Sequence, residues 1–156
     1  MIIIHNQYLV LEGEKMLGNI EWKTEYSFAE IETIRVVENK LCIHFPIDYL
    51  NIAIKFQGGE PSSKTIVVNG NIIIFGFLLT FLAFDELDIL DIYNSVRYTL
   101  PQNHFPFAID EKGNMFCFDY SGGDVPIVVF AEKERGNTVT TSYIAQSFSD
   151  FVQMLQ

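Results

Sequence analysis

Cysteine is scarce in this chain, with two residues in 156, so no disulfide framework can staple it. Cys42 lies between Leu41 and Ile43, and Cys117 between Phe116 and Phe118. Both positions read as reduced, buried core thiols, which suits the cytoplasm. Histidine is nearly as scarce. His5, His44 and His104 are scattered, and no H-x-x-H, H-E-x-x-H or C-x-x-C spacing occurs, so no metal-ligand motif is present. Positive charge is short as well: ten Lys and Arg stand against 20 Asp and Glu, for a net charge of −10. That balance repels phosphates and argues against direct nucleic-acid binding, while it favours solubility and steers the domain towards a basic partner. No basic n-region precedes the apolar start Met1-Ile2-Ile3-Ile4, so a signal peptide is not expected. Gly58-Gly59 is followed by neither a Lys nor a helix. It therefore reads as a helix end and turn rather than a phosphate loop.

Apolar residues are what the chain has in quantity, at 49% with fourteen Phe and seven Tyr. One domain over residues 1–156 can bury roughly two-thirds of its unfolded surface. Ile66 to Phe84 carries no charge over nineteen positions, long enough to span a bilayer if helical. Asn69-Gly70-Asn71 interrupts it between two β-branched runs, a hairpin signal and a poor helix interior. No membrane segment is expected.

The stretch from Phe105 to Ala131 organises the rest. Phe105, Phe107 and Ile109 alternate with Pro106, Ala108 and Asp110, the period of a strand. Gly113 suits a tight turn after Asp110, because glycine takes positive φ without a steric cost. Met115–Phe118 and Ile127–Ala131 are apolar on both faces, as in strands covered from both sides. These read as three neighbouring strands at the centre of a sheet, over 105–109, 115–119 and 126–131.

Around them the chain reads in order. Met1–Leu11 suggests an edge strand and Glu12–Asn19 a helical turn; Trp22 packs over the edge of the core. Ser27 with Glu30 has the spacing of a capping box, opening a helix near 28–40 on the face Ile31, Ile34, Val37 and Leu41. Pro46 opens a second helix, 46–57, closed at Gly58. Strands at 65–68 and 71–75 form the hairpin, and Leu78–Phe84 continues the sheet or covers its end. Asp85 is placed to cap a third helix, 86–97, with Ile89, Ile92, Tyr93 and Val96 inward and Asp88 and Asp91 outward. A strand over 138–144 and a helix over 148–155, opened by Ser147 and Asp150, complete the chain. The fold class is α+β: a single domain with a mostly antiparallel or mixed sheet of about six strands. A helix–loop–helix, a middle helix and a C-terminal helix flank it.

Phe107-Ala108, Asp110, Gly113-Asn114, Cys117-Phe118-Asp119-Tyr120 and Pro126-Ile127-Val128-Val129 resemble the central block of the SUKH superfamily. Those are bacterial immunity proteins related to a fungal cell-wall-synthesis regulator. Ile34, Glu38, Leu41, Ile43, Phe45 and Pro46, then Asp48-Tyr49, Gly58-Gly59 and Pro61-Ser62, are similar to the family's opening block. Gln57 stands where the family usually has Asn, and Cys42 where Gly is common. The resemblance covers roughly Trp22 to Leu155. It implies a non-enzymatic, cytoplasmic immunity protein that binds a cognate toxin domain, a basic nuclease among the candidates, and blocks it by stoichiometric occlusion. The alternative it leaves open is a regulatory scaffold domain that binds a cellular protein.

Candidate sites are few, and no cofactor motif occurs. Cys117 with His104 as base would be a nucleophile only if the thiol were accessible, and its aromatic neighbours argue for burial. Asp119 and Asp124 flank Ser121-Gly122-Gly123, too few oxygens for calcium and better suited to capping backbone N–H groups. Asp85, Glu86, Asp88 and Asp91 cluster at a helix start, where acids complement the helix dipole and would also present a negative field to a basic partner. Asp85, Glu86, Asp88, Asp91, Asp119 and Asp124 are the candidate partner-binding residues.

Overall fold

A computed structural model describes residues 20–156. The edge strand expected over Met1–Leu11 and the helical turn over Glu12–Asn19 lie outside the described residues. The chain runs β1 (Trp22–Lys23), α1 (Ile31–Leu41), α2 (Ile47–Phe56), β2 (Glu60–Pro61), β3 (Thr65–Val68) and β4 (Asn71–Leu78). It continues through α3 (Ile89–Val96), β5 (His104–Asp110), β6 (Met115–Asp119), β7 (Ile127–Lys133), β8 (Val139–Ala145) and α4 (Phe148–Gln153). β3 to β8 form a six-stranded sheet in sequence order, every pair antiparallel, and β1 and β2 form a separate two-stranded ribbon. The α+β class and the six-stranded sheet agree with the sequence reading, and β5, β6 and β7 are neighbours as the alternation predicts.

The turns follow their residues. Asn69 and Gly70 both take positive φ, 50° and 79°, the pattern of the tight two-residue hairpin turn. At the β5–β6 turn, Gly113 has φ 84°. Asp110 Oδ1 accepts from Lys112 N at 2.9 Å and Asn114 N at 2.7 Å, while Asn114 Oδ1 accepts from Lys133 N at 3.0 Å. One buried acid and one buried amide thus fasten three strands together.

The sheet is covered on both faces. On one, α1, α2 and α4 bury a core of aromatic rings centred on Tyr49, which is fully buried. Its ring stands 5.1 Å from Phe118, 5.2 Å from Phe45, 5.5 Å from Phe148 and 5.6 Å from Phe107, mostly edge to face. Such pairs contribute about 0.5–1.5 kcal/mol each beyond area burial. On the other face, α3 and the turn after it lay Val96 and Leu100 over Met115, Cys117, Val129 and Ala131. Trp22 packs edge-on against Phe75 at 5.8 Å, over the margin of the first core.

Three local expectations need correcting. The Ser27–Glu30 capping box does not form: α1 starts at Ile31, and Glu30 caps it without a side-chain bond. The preceding segment is held by tertiary partners instead, Ala29 N donating to Ile54 O at 2.8 Å and Gln57 Nε2 to Ser27 O at 2.9 Å. Asp85 does not cap α3; Asp88 does, accepting from Leu90 N at 2.9 Å, so its carboxylate is buried rather than outward. Cys42 is exposed, not a core thiol. It sits just past α1 with φ 58°, where Cys42 N donates to Asn39 O at 3.3 Å and Ile43 N to Glu38 O at 3.1 Å. That is a Schellman end, the setting glycine normally fills. The reading that Leu78–Phe84 continues the sheet or covers its end holds in part: Leu78 ends β4, Leu79 N still donates to Phe107 O at 2.9 Å, and from Thr80 the chain loops over the core, tied back by the Thr80–Asp88 bridge.

Candidate functional site

The acids expected to bind a partner fall into two places. The first is the connection from β4 to α3. Here Asp85 is a structural hinge: its carboxylate accepts from the Tyr26 hydroxyl, from Thr80 Oγ1 at 3.2 Å and from Leu87 N at 3.0 Å. Partial burial works against its ionisation, but the hydrogen bonds from Tyr26, Leu87 N and Thr80 outweigh that and hold it below the usual carboxylate range. Tyr26 is pushed up to about 12, first by its bond to Asp85, then by burial and by the charges of Asp85, Glu86 and Glu25. Asp88 is spent on the α3 cap. Glu86 and Asp91 are exposed, and Phe84 beside them is 84% exposed with φ 57°.

The second place is the β6–β7 loop. Asp119 is half-buried; its Oδ1 accepts from Ser121 N at 2.8 Å and its Oδ2 lies 3.7 Å from His104 Nε2. The backbone-capping role read for Asp119 is therefore present. Asp124 is exposed at the loop tip beside exposed Val125. Tyr120, whose pKa burial raises, donates to His44 O at 2.8 Å and ties this loop to the end of α1. So the exposed carboxylates of the six are Glu86, Asp91 and Asp124.

The alternatives to partner binding have little geometry behind them. Cys117 is fully buried; burial, and secondarily the Asp119 charge, pushes its thiol far above the ordinary value. His104 pairs across the ladder with Asp119, while Cys117 pairs with Pro106 and Val129. Among the described residues, no group of three His, Cys, Asp or Glu is placed to hold a metal ion. No helix among them is long and apolar enough to cross a membrane.

One grouping was not visible in the sequence. A groove of about 1060 Å³ opens between the Lys23–Tyr26 segment, β4 and the β5–β6 turn, and Glu25, Glu60, Glu86 and Glu111 line it together. Glu86 alone belongs to the expected set. Its companions come from distant parts of the chain, and no local spacing links them. Gln57 is a second residue whose role no local spacing shows. Its Nε2 donates to Ser27 O, its Oε1 accepts from Phe81 N at 3.0 Å, and its backbone oxygen accepts from Thr24 Oγ1 at 2.6 Å. It thereby locks the Thr24–Ser27 wall of the groove to the loop after β4.

Against known proteins, a family model described as the SMI1 / KNR4 family (SUKH-1) matches residues 29–154. No curated protein matches the chain.

Proposed function

The chain belongs to the SMI1 / KNR4 family (SUKH-1), and on that premise we propose that it is a non-enzymatic, protein-binding immunity protein. It binds a cognate toxin domain in the cytoplasm of the cell that makes the toxin and covers the toxin's active site or its substrate's path. The mechanism is occlusion at one-to-one stoichiometry, with no cofactor. The observation that carries this reading is the family match over almost all of the described chain.

Two further features support it. The surplus of ten acids is suited to a basic partner, and a nuclease, whose substrate groove must be positive to hold phosphates, is the natural example. The candidate contacts are Glu86, Asp91 and Asp124 as exposed carboxylates, with Asp85, Asp88 and Asp119 shaping the backbone that presents them.

The test is co-expression with a secreted toxin's catalytic domain encoded beside this gene, in cells which that domain kills. Survival, with an equimolar complex persisting through gel filtration, is the expected result. Undiminished killing with no complex would remove the immunity reading.

A further inference from the structure

Among the described residues, the second face of the sheet is only partly covered. α3 has eight residues and so spans about 12 Å; it lies over β5, where Tyr93 stacks on Phe105 at 5.2 Å, and with the turn after it covers Met115, Cys117, Val129 and Ala131. The ladder row Ala131–Met115–Ile109–Phe77 passes out from under it. Along β3 and β4 no element among the described residues is packed on the same face. Val67 pairs with Ile72 and both are exposed, Ile72 at 69%, and Phe77 is 39% exposed. Neighbours on the opposite face, Ile66, Val68, Ile73 and Phe75, are buried. The alternation leaves an apolar strip on a sheet face, not scattered single residues.

Only the Phe77 end of this strip enters the groove described above, where Ile74, Phe77 and Ile109 form the floor between walls carrying Glu25, Glu86 and Glu111. Glu60 is neutralised by Lys64. Glu25, Glu86 and Glu111 are exposed and have no ion-pair partner among the described residues; Lys23 and the Glu60-paired Lys64 are the cations that line the groove with them. Gly76 lets the floor lie close: a Cβ there would meet Ile109 O at 2.9 Å, and the ladder is bulged at this point. An apolar centre whose charged rim is mainly acidic, five carboxylates against two lysines, is the anatomy of a protein-binding patch.

Resting on the protein-binding reading above, we propose that this groove docks a basic segment of the partner protein. The segment's apolar side chains lie on Ile74, Phe77 and Ile109, and its Lys or Arg groups reach Glu25, Glu86 and Glu111. Charge complementarity selects this occupant. A second copy of the chain would set one acidic rim against another, and nucleic acid or an anionic membrane would be repelled.

Two probes test it. The first is a short synthetic peptide alternating lysine and leucine, titrated into isotope-labelled protein with a glutamate–leucine peptide as control. Amide shifts are expected at Gly76, Phe77, Ile109 and Gly113 for the lysine peptide alone. The second is the neighbouring toxin domain, whose binding is measured by surface plasmon resonance across a salt series. The triple variant Glu25→Gln, Glu86→Gln, Glu111→Gln should slow association about tenfold at low salt, with the difference fading as salt screens it. Phe77→Ser should speed dissociation by about tenfold. All four sites are at the surface, so folding is retained, which circular dichroism checks.

Peptide shifts confined to another face, or variants that bind both probes as the native protein does, would overturn the groove. So would self-association that protects the Phe77 amide. A toxin domain that native protein ignores, with the lysine peptide still mapping to the groove, would remove the immunity reading and leave the docking groove supported.

Discussion

Replacing Cys42 with glycine should stabilise this protein, although it deletes a side chain. Cys42 holds φ 58° at the end of α1, where an L-residue's Cβ crowds the following carbonyl at a cost of about 1–2 kcal/mol. Glycine removes that cost but gives back about 0.4–1 kcal/mol through the greater freedom of its unfolded chain. Little packing is lost, since the side chain is exposed and its thiol only reaches Asn39 O at 3.6 Å. The difference is a gain of about 0.5–1 kcal/mol for Cys42→Gly, or roughly 1–4 °C in Tm for a chain of this size. Urea unfolding of native protein, Cys42→Gly and Cys42→Ala reads it directly. Alanine keeps the Cβ and should sit level with cysteine. Glycine unfolding at lower urea than the native protein, or alanine gaining as much as glycine, would refute the steric argument.

The other expected outcomes draw on separate features. A thiol reagent at neutral pH should label Cys42 at once and Cys117 only after denaturation, because the latter is fully buried with its pKa driven up; prompt native labelling at Cys117 counts against that. Tyr26→Phe should cost about 1 kcal/mol at neutral pH by stripping a hydrogen bond from Asp85. Asp85's pKa is lowered in the folded state, so its contribution is present above the ordinary Asp value and is lost as pH falls through the folded one. Tyr26's is raised to about 12, so its contribution is full below the ordinary Tyr value and fades as pH rises towards 12. The gap between the two proteins, followed by urea melts, should therefore close at both ends; a gap independent of pH would contradict the pairing. Gly59→Ala should destabilise by about 2–3 kcal/mol, because its Cβ would stand 2.6 Å from Lys23 O and 2.7 Å from Phe56 O. Gly122→Ala, which faces open space, should be near neutral in the same assay.

Features governed by neighbours in sequence were legible. Alternation through Phe105–Ile109, the Asn69-Gly70 turn and the spacing of Phe148, Phe151 and Val152 each report a local rule, and each produced its element within a few residues. Features governed by distant partners were not. Ser27 and Glu30 have the right spacing for a cap, yet Gln57 claims the carbonyl of Ser27 and Ile54 the N–H of Ala29. The β1–β2 ribbon, two residues a side, is too short to carry a period. Asp88 looked outward because helical geometry was extended backwards past the true start at Ile89; as the cap it turns in. At the candidate site, the excess of acid was plain from composition. Which acids share a groove depends on how β4, β5 and the Lys23–Tyr26 segment come together, and no window of sequence contains that.

The order of strands in the sheet also says how the protein can be made. Because β3 to β8 lie in sequence order, each hairpin can zip as soon as its second strand leaves the ribosome, on the microsecond scale of hairpin closure. Joining β4 to β5 is the slower step, since its loop must enclose α3. α1 and α2 emerge earlier, with Ile34, Val37, Tyr49 and Ile52 facing inward to strands not yet synthesised. The helical pair therefore spends the period before β5 and β6 appear with its apolar face in water, and that interval is when the nascent chain has most need of a chaperone.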